Sequence, residues 1–469
     1  MSPVSKPRKP AERGQPSNKK RIRRSRVINP NAAGIDVGAH ESYVAVPAER
    51  AEQSVRTFGC FTEDIHALCD WLITCGITSV AMESTGVYWV PLFQILESRG
   101  LEVFLVNARH VKAVPGRKTD VLDCQWLQEL HGFGLLAASF RPADEICVLR
   151  AYWRHRDNLV RYGAAHSQHM QKALEQMNIQ LHKVISDITG VTGLRIIEAI
   201  LDGQRDRQAL AALKDHRIAS SQDTIAKALD GDYRQEHLFA LRQALDLYQF
   251  YRQKISECDG QIEQYLGQLA TKVDPQEKPP PPAKEGKKKP SGNQVHFDLR
   301  THLYRISGVD FTQIEGFNTL TIQTILSEVG LDATRFSTLK HFTSWLCLCP
   351  DNRITGGKIK SAKTRKTKNR AADAFRLAAR AAGNSAGPLG AFYRRLKARL
   401  GTPKAITATA HKLARIFYSL WKNPESFDQE RLAFHEQQNT RKTINYLRKK
   451  AAAMGFDLVQ QPVATQVVS

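Results

Sequence analysis

Apolar residues along this chain follow three kinds of spacing, and each predicts a different architecture. Between residues 32 and 106 the apolar runs are short and broken by turn residues. Ala32-Ala33-Gly34-Ile35-Asp36-Val37-Gly38 reads as a strand that closes on an acid between glycines. Residues 41–46 alternate and read as a second strand, and 54–58 as a third, so the three predict an antiparallel meander. Residues 62–75 carry Ile65, Leu68, Leu72 and Ile73 at helical spacing. A fourth strand at 78–83 again closes on an acid, Glu83, and Ser84-Thr85-Gly86 supplies a turn. A helix at 90–98 and a strand at 101–106 follow, and then a helix carrying Asp120 and Asp123. The predicted order is β-β-β-α-β-α-β-α.

The pattern changes from residue 145. Leu149, Trp153, Leu159, Tyr162, Met170, Leu174 and Met177 recur at helical spacing, residues 241–269 repeat the pattern, and 180–235 read as shorter helices. Gln- and Arg-rich outer faces suit a helical or coiled-coil arm for dimerisation and nucleic-acid contact, or an ordinary bundle. Residues 274–294 form a linker, with a stiff proline run at 279–282 and Lys287-Lys288-Lys289. Ile306-Ser307-Gly308-Val309 and Ile314-Glu315-Gly316-Phe317 then precede a helix at 320–329. Such glycine turns either grip a DNA backbone through helix N-termini or merely cap the helix.

The expected fold class is α/β plus α. The expected partition is a disordered basic tail (1–30), an α/β domain (31–144), a helical arm (145–273), a linker (274–296), a mainly helical C-terminal domain (297–422), and a charged helix and tail (423–469). No chemistry is assigned to the last segment.

Charge narrows the function. The 469 residues carry a net charge of +22, which calls for a polyanionic partner, nucleic acid before membrane surface. Lys6, Arg8, Lys19, Arg21 and Arg24 stud a tail that cannot bury enough apolar surface to fold alone, a nucleic-acid arm or a solubilising leader. No apolar run reaches the roughly 18–20 residues of a membrane span, and the N-terminus lacks a signal-peptide core. A cytoplasmic, nucleoid-associated protein without membrane partners is expected. The eight cysteines form no CxxC pair, so free buried thiols are expected rather than a zinc site or disulfides.

Asp120 and Asp123 lie three apart and share one side of a helix. Paired acids repel unless a cation sits between them, and Mg²⁺ takes such oxygen ligands together with phosphate. Arg117 and Lys118 stand just before them as candidate phosphate contacts. The strand order, with Asp36 and Glu83 closing strands one and four, resembles the RNase H/RuvC-like nuclease fold. That resemblance places the two strands side by side and gathers Asp36, Glu83, Asp120 and Asp123 around one point. Four acids there could hold two Mg²⁺ ions about 4 Å apart, clamping the oxygens of a phosphoryl transfer. Gly34, Gly38 and Gly86 would allow close backbone approach.

The second candidate stretch is 353–370. Arg353, Lys358, Lys360, Lys363, Arg365, Lys366, Lys368 and Arg370 surround hydroxyls and glycines. The cations would neutralise phosphates, and a hydroxyl among them, Thr355 or Ser361, could attack phosphorus. A plain basic surface loop has the same composition. Phe392, Arg394, Arg395, Lys397, His411, Lys412 and Arg415 add a basic helical face with aromatics.

Taken together these motifs resemble the DEDD-type transposases of bacterial insertion sequences, the family of the pilin-gene invertase and the bridge-RNA-guided recombinases. The matching residues are Gly34-Ile35-Asp36-Val37-Gly38, Met82-Glu83-Ser84-Thr85-Gly86 and Lys118-Thr119-Asp120-Val121-Leu122-Asp123. Towards the C-terminus they are Ile314-Glu315-Gly316, the segment 346–350, Thr355-Gly356-Gly357-Lys358 and Ser361-Ala362-Lys363-Thr364-Arg365. The resemblance implies a RuvC-like domain with four Mg²⁺-binding acids, a helical arm and a C-terminal transposase domain with a nucleophilic serine. It also implies double-stranded DNA substrates, dimers or tetramers, and a non-coding guide RNA from the element. One departure is chemical: the serine's place before the glycine pair holds Thr355, whose hydroxyl is more hindered, and Ser361 is the nearby alternative. Glu315-Gly316 stands where Pro-Gly is usual. The alternatives are a catalytically impaired nucleic-acid-binding protein and a RuvC-like nuclease that uses the acids and water.

Overall fold

Five strands build one mixed sheet in the N-terminal part of the chain. They are β1 (Ala32–Val37), β2 (Glu41–Ala45), β3 (Val55–Gly59), β4 (Ser79–Glu83) and β5 (Glu102–Val106). The helices are α1 (Thr62–Thr74), α2 (Trp89–Ser98) and α3 (Asp120–Gly132). The structure is a computed structural model that describes residues 27–84, 86–106, 120–283, 292–424, 427 and 429–459. It divides into two compact units, one ending at Arg141 and one beginning at Pro142.

The sheet order is β3-β2-β1-β4-β5. The first three strands are antiparallel neighbours, while β4 runs parallel to both β1 and β5. A mixed sheet in this order fits an RNase H-like domain. Side chains alternate between its faces. Ala33, Ile35, Val37, Val80 and Met82 point to one face and join Leu68, Leu72, Phe93 and Leu96 in the core under α1 and α2. The in-between positions, including Gly34, Asp36, Ala81 and Glu83, therefore face the other side, where α3 lies.

Two details differ from the sequence expectation. Ile73 is not part of the buried stripe of α1; Cys69 and Trp71 are, beside Ile65, Leu68 and Leu72. Order also reaches back into the end of the expected tail (1–30). The amides of Ile28 and Asn29 donate to the Gly132 carbonyl, and Asn31 accepts from Thr78 and Ser79.

In the C-terminal unit two long helices, α4 (Asp144–Gln176) and α9 (Gln235–Gln268), run antiparallel. Tyr265 donates to the Glu145 carbonyl near one end, and the Tyr162 and Tyr251 rings meet nearer the other. Tyr162 is exposed rather than buried in the predicted stripe, because its ring covers Tyr251 at the surface. Four short helices between them, α5 (Leu181–Val184), α6 (Val191–Leu201), α7 (Arg207–Ala212) and α8 (Gln222–Ala228), close a core around Met177, Ile179, Ile196, Ile197, Leu210 and Ile225.

Next come α10 (Leu299–Ser307), α11 (Thr319–Val329), α12 (Leu339–Trp345), a hairpin β6 (Arg353–Thr355) and β7 (Lys358–Ser361), α13 (Arg370–Ala382), α14 (Pro388–Leu400), α15 (Thr402–Lys422) and α16 (Gln429–Ala453). Phe311, Phe342, Phe375 and Phe417, all fully buried, form the centre. The proline-rich stretch breaks the sequence but not the packing. Trp153 of α4 donates to Thr324 of α11 at 2.9 Å, and Arg154 grips the Glu328 carboxylate at 2.8 and 2.7 Å. The described ends of the expected linker are held, since Gln313 donates to the Pro282 carbonyl and Arg156 to that of Asn293. Lys287, Lys288 and Lys289 lie outside the described residues, as do Arg117, Lys118 and the tail to residue 26. Among the described residues no helix is long and apolar enough to cross a membrane.

Candidate functional site

Strand β1 meets β4 in parallel register, Gly34 opposite Ala81 and Ile35 opposite Met82. One residue further on, both strands reach their acids, so Asp36 and Glu83 are neighbours on the α3 face. Gly34 brings the helix onto that face. A Cβ there would lie 2.3 Å from both the Cys124 carbonyl oxygen and the Gln128 nitrogen, so only glycine admits the helix this closely. The far end of α3 is fixed at the start of the sheet, where His131 Nε2 lies 3.0 Å from Ser79 Oγ and its ring packs on Phe104. The helix thus runs against the strand direction. Its first turn, with Asp120 and Asp123, comes to the end where β1 and β4 carry their acids.

The charge of this corner registers on Cys124. Burial raises its thiol, and the carboxylates of Asp36 and Asp123 add to the effect, pushing it up to about 12. In the metal-free corner the residue is therefore a neutral thiol, which donates to the Val121 carbonyl. The remaining donors are carboxylates, hard oxygen ligands of the kind Mg²⁺ takes. The Asp120 side chain lies outside the described residues, and among those described no three acids, histidines or cysteines already stand as a ligand cluster. Gly38 serves the fold rather than a ligand. Its amide donates to the Glu41 carbonyl in the tight β1–β2 turn, where a Cβ would strike that oxygen at 2.4 Å.

The stretch 353–370, expected as a basic loop, begins as a hairpin. Gly356 and Gly357 join β6 to β7 with φ of +55° and +73°, both in the left-handed region that two-residue hairpin turns require. The signal was present, since Gly-Gly between Arg-Ile-Thr and Lys-Ile-Lys-Ser is a hairpin pattern. Thr355 pairs with Lys358 at the exposed tip. Ser361 lies at the base opposite Arg353 and is half-buried, with its Oγ 3.4 Å from the Lys363 amide that donates to it.

The predicted cations separate into two groups. Arg353, Lys358, Lys360, Lys363, Lys366 and Lys368 are exposed. Three arginines are engaged with protein instead. Arg365 donates to the Ser344 carbonyl at the end of α12, Arg370 pairs with Asp157 of α4 at 3.3 Å, and Arg394 donates to the Gly383 and Ser385 carbonyls after α13. Arg395 lies over the Phe392 ring, 5.5 Å from its centroid. The glycine turns near 308 and 316 also serve the fold. Gly316, at φ +93°, lies where a Cβ would meet the Ala378 carbonyl at 2.3 Å. The N-terminus of α11 is capped by Asn318, which accepts from the Thr321 amide, so it is not open to a phosphate. Glu315, in the usual proline's place, accepts from the Gly390 amide at 3.3 Å and ties the turn to the start of α14.

Comparison with known families finds two matches. A transposase family of the DEDD type matches residues 33–179, from β1 through α4. A second, the transposase IS116/IS110/IS902 family, matches residues 310–394, which include the hairpin. The protein is thus a transposase of an insertion sequence. It belongs to the IS110 family of DEDD transposases. No curated protein matches the chain.

Proposed function

We propose that this transposase cuts and rejoins DNA through a hydroxyl nucleophile on the β6–β7 hairpin, with Asp36, Glu83, Asp120 and Asp123 as its Mg²⁺-binding acids. The observation that carries the reading is the shared face of Asp36 and Glu83, with the first turn of α3 drawn to the same end by Gly34. Bound there, Mg²⁺ would neutralise charge on the reacting phosphate and favour departure of the leaving oxygen.

Thr355 is the proposed nucleophile, by its place in the motif and its exposure at the hairpin tip. Its Oγ forms a bond to phosphorus, the bond from phosphorus to the departing sugar oxygen breaks, and that oxygen takes up the proton the hydroxyl gives away. Arg353 and Lys358, beside Thr355 on the hairpin, meet the flanking phosphates. The energy of the broken phosphodiester is kept in the protein–DNA link, so a second hydroxyl can reverse the step and rejoin strands. Double-stranded DNA at the element ends and target, an element-encoded guide RNA and a homo-oligomer are the partners this reading carries.

Covalent trapping tests it. With Mg²⁺, flanking DNA and element RNA, denatured protein should carry DNA on Thr355, identified by mass spectrometry. Thr355→Ser should raise the adduct rate about tenfold by relieving crowding at the oxygen, a barrier change of about 1.4 kcal/mol. Thr355→Ala should abolish it. An adduct on Ser361 would move the nucleophile to the hairpin base. Cleavage without an adduct would favour the water-using nuclease, and binding without cleavage the impaired protein that the hindered threonine suggests.

A further inference from the structure

An open groove of about 1510 Å³ lies in the C-terminal unit, between α14, α15 and the chain that leaves β7. Its cations are Lys360, Lys363, Arg399, Lys404, Lys412 and Arg415, and none of its described lining residues is Asp or Glu. Its apolar surface comes from Leu348, Phe392, Leu396, Leu400 and Ile416. Among the described residues no carboxylate pairs with Lys360, Lys363, Arg399, Lys404 or Arg415. The volume exceeds the roughly 300–1,000 Å³ of a single small-molecule site.

From this composition we infer that the groove holds an unpaired DNA strand running to the hairpin. A duplex buries its base faces in its own stack and would leave the apolar floor unfilled. A single strand can lay its bases on that floor while its phosphates follow the cations. Ser361 and Lys363 belong both to the groove wall and to the chain continuous with Thr355. A strand held there leads to the proposed nucleophile, which is why DNA is the assigned occupant. The inference rests on the reading of the hairpin as the reactive element. It adds that the unpaired strand is held beside the hairpin by α14 and α15.

The test is equilibrium binding by full-length protein in EDTA, followed by fluorescence anisotropy. The probes are oligo-thymidine, its duplex with oligo-adenosine, and oligo-uridine. Arg399→Glu/Lys404→Glu alters two exposed side chains, and circular dichroism checks that it folds. The variant should bind oligo-thymidine about tenfold or more weakly, and its salt slope should fall by about 0.7 for each phosphate no longer neutralised. Duplex affinity should change less than about twofold, since a tenfold effect already corresponds to about 1.4 kcal/mol. Equal weakening on duplex and single strand, or none on either, would overturn the inference. Tighter wild-type binding of oligo-uridine, abolished in the same variant, would also overturn it by assigning the groove to RNA. Because no metal or cleavage is involved, absence of a Thr355 adduct would count against the proposed chemistry and leave this result standing.

Discussion

A methyl group at residue 34 would sit 2.3 Å from two backbone atoms of α3, and neither can rotate away as a side chain could. Gly34→Ala should therefore push α3 off the sheet and spread the acids. Overpacking of this kind costs about 1–3 kcal/mol, and a backbone clash belongs at the upper end. Urea unfolding should detect the loss, and adduct formation should fall further than stability, because Asp120 and Asp123 ride on the displaced helix. Asp310 offers a residue-scale prediction in pH. Burial alone would raise its pKa, but hydrogen bonds from Arg300, Thr312 and Gln313 outweigh that and hold it below its ordinary 3.8. A depressed carboxylate stabilises the fold fully above its unfolded value and loses that contribution as pH falls through the folded value. The stability gap between wild type and Asp310→Asn should thus be full at neutral pH and close as acid titrates the group. A gap unchanged in strong acid would refute the assignment.

At the scale of elements, α4 and α9 are joined by a buried ion pair. Arg156 and Asp259 side chains are 4% and 3% exposed, and Arg156 also donates to the Asn293 carbonyl at 3.1 Å. Removing one partner leaves a buried charge, so Arg156→Met should cost about 3–5 kcal/mol. Arg156→Met/Asp259→Leu should recover most of it, because two well-packed apolar groups replace two buried charges. A double variant as unstable as the single one would show that the hydrogen bond to Asn293, not the pair, matters. The hairpin is the element that composition concealed. Its lysine and arginine density drew attention to charge, while the Gly-Gly turn and the short alternation on either side read as part of a loop.

At the scale of the molecule, the net charge of +22 sets how binding responds to salt. Affinity for nonspecific DNA should fall steeply and linearly on logarithmic axes, as cations displace counterions from phosphates. Titration from low to physiological salt would measure the slope; a flat response would mean that the charge lies away from the DNA. Not every cation contributes. Arg365, Arg370 and Arg394 are engaged with protein groups, so charge reversal there should disturb packing more than salt dependence.

Local periodicity was enough to read the strands, the long helices and the positions of the four acids, because alternation and helical spacing are written over a few consecutive residues. It also marked Gly34 and Gly38 as exceptional, though not what approaches them. Tertiary structure decided the rest. That β1 lies beside β4, so that Asp36 and Glu83 share a face, was expected only through the resemblance to the RNase H/RuvC-like fold, because it depends on pairing between residues 47 positions apart, such as Ala32 and Ser79. Whether an arginine meets phosphate or a protein group depends on partners such as the Asp157 carboxylate for Arg370, more than 200 positions away. The same distance effect hid the union of the arm with the C-terminal helices across a proline-rich stretch. A sequence pattern specifies which face of an element is apolar; only the packed chain specifies what that face, and the charges at its edge, will meet.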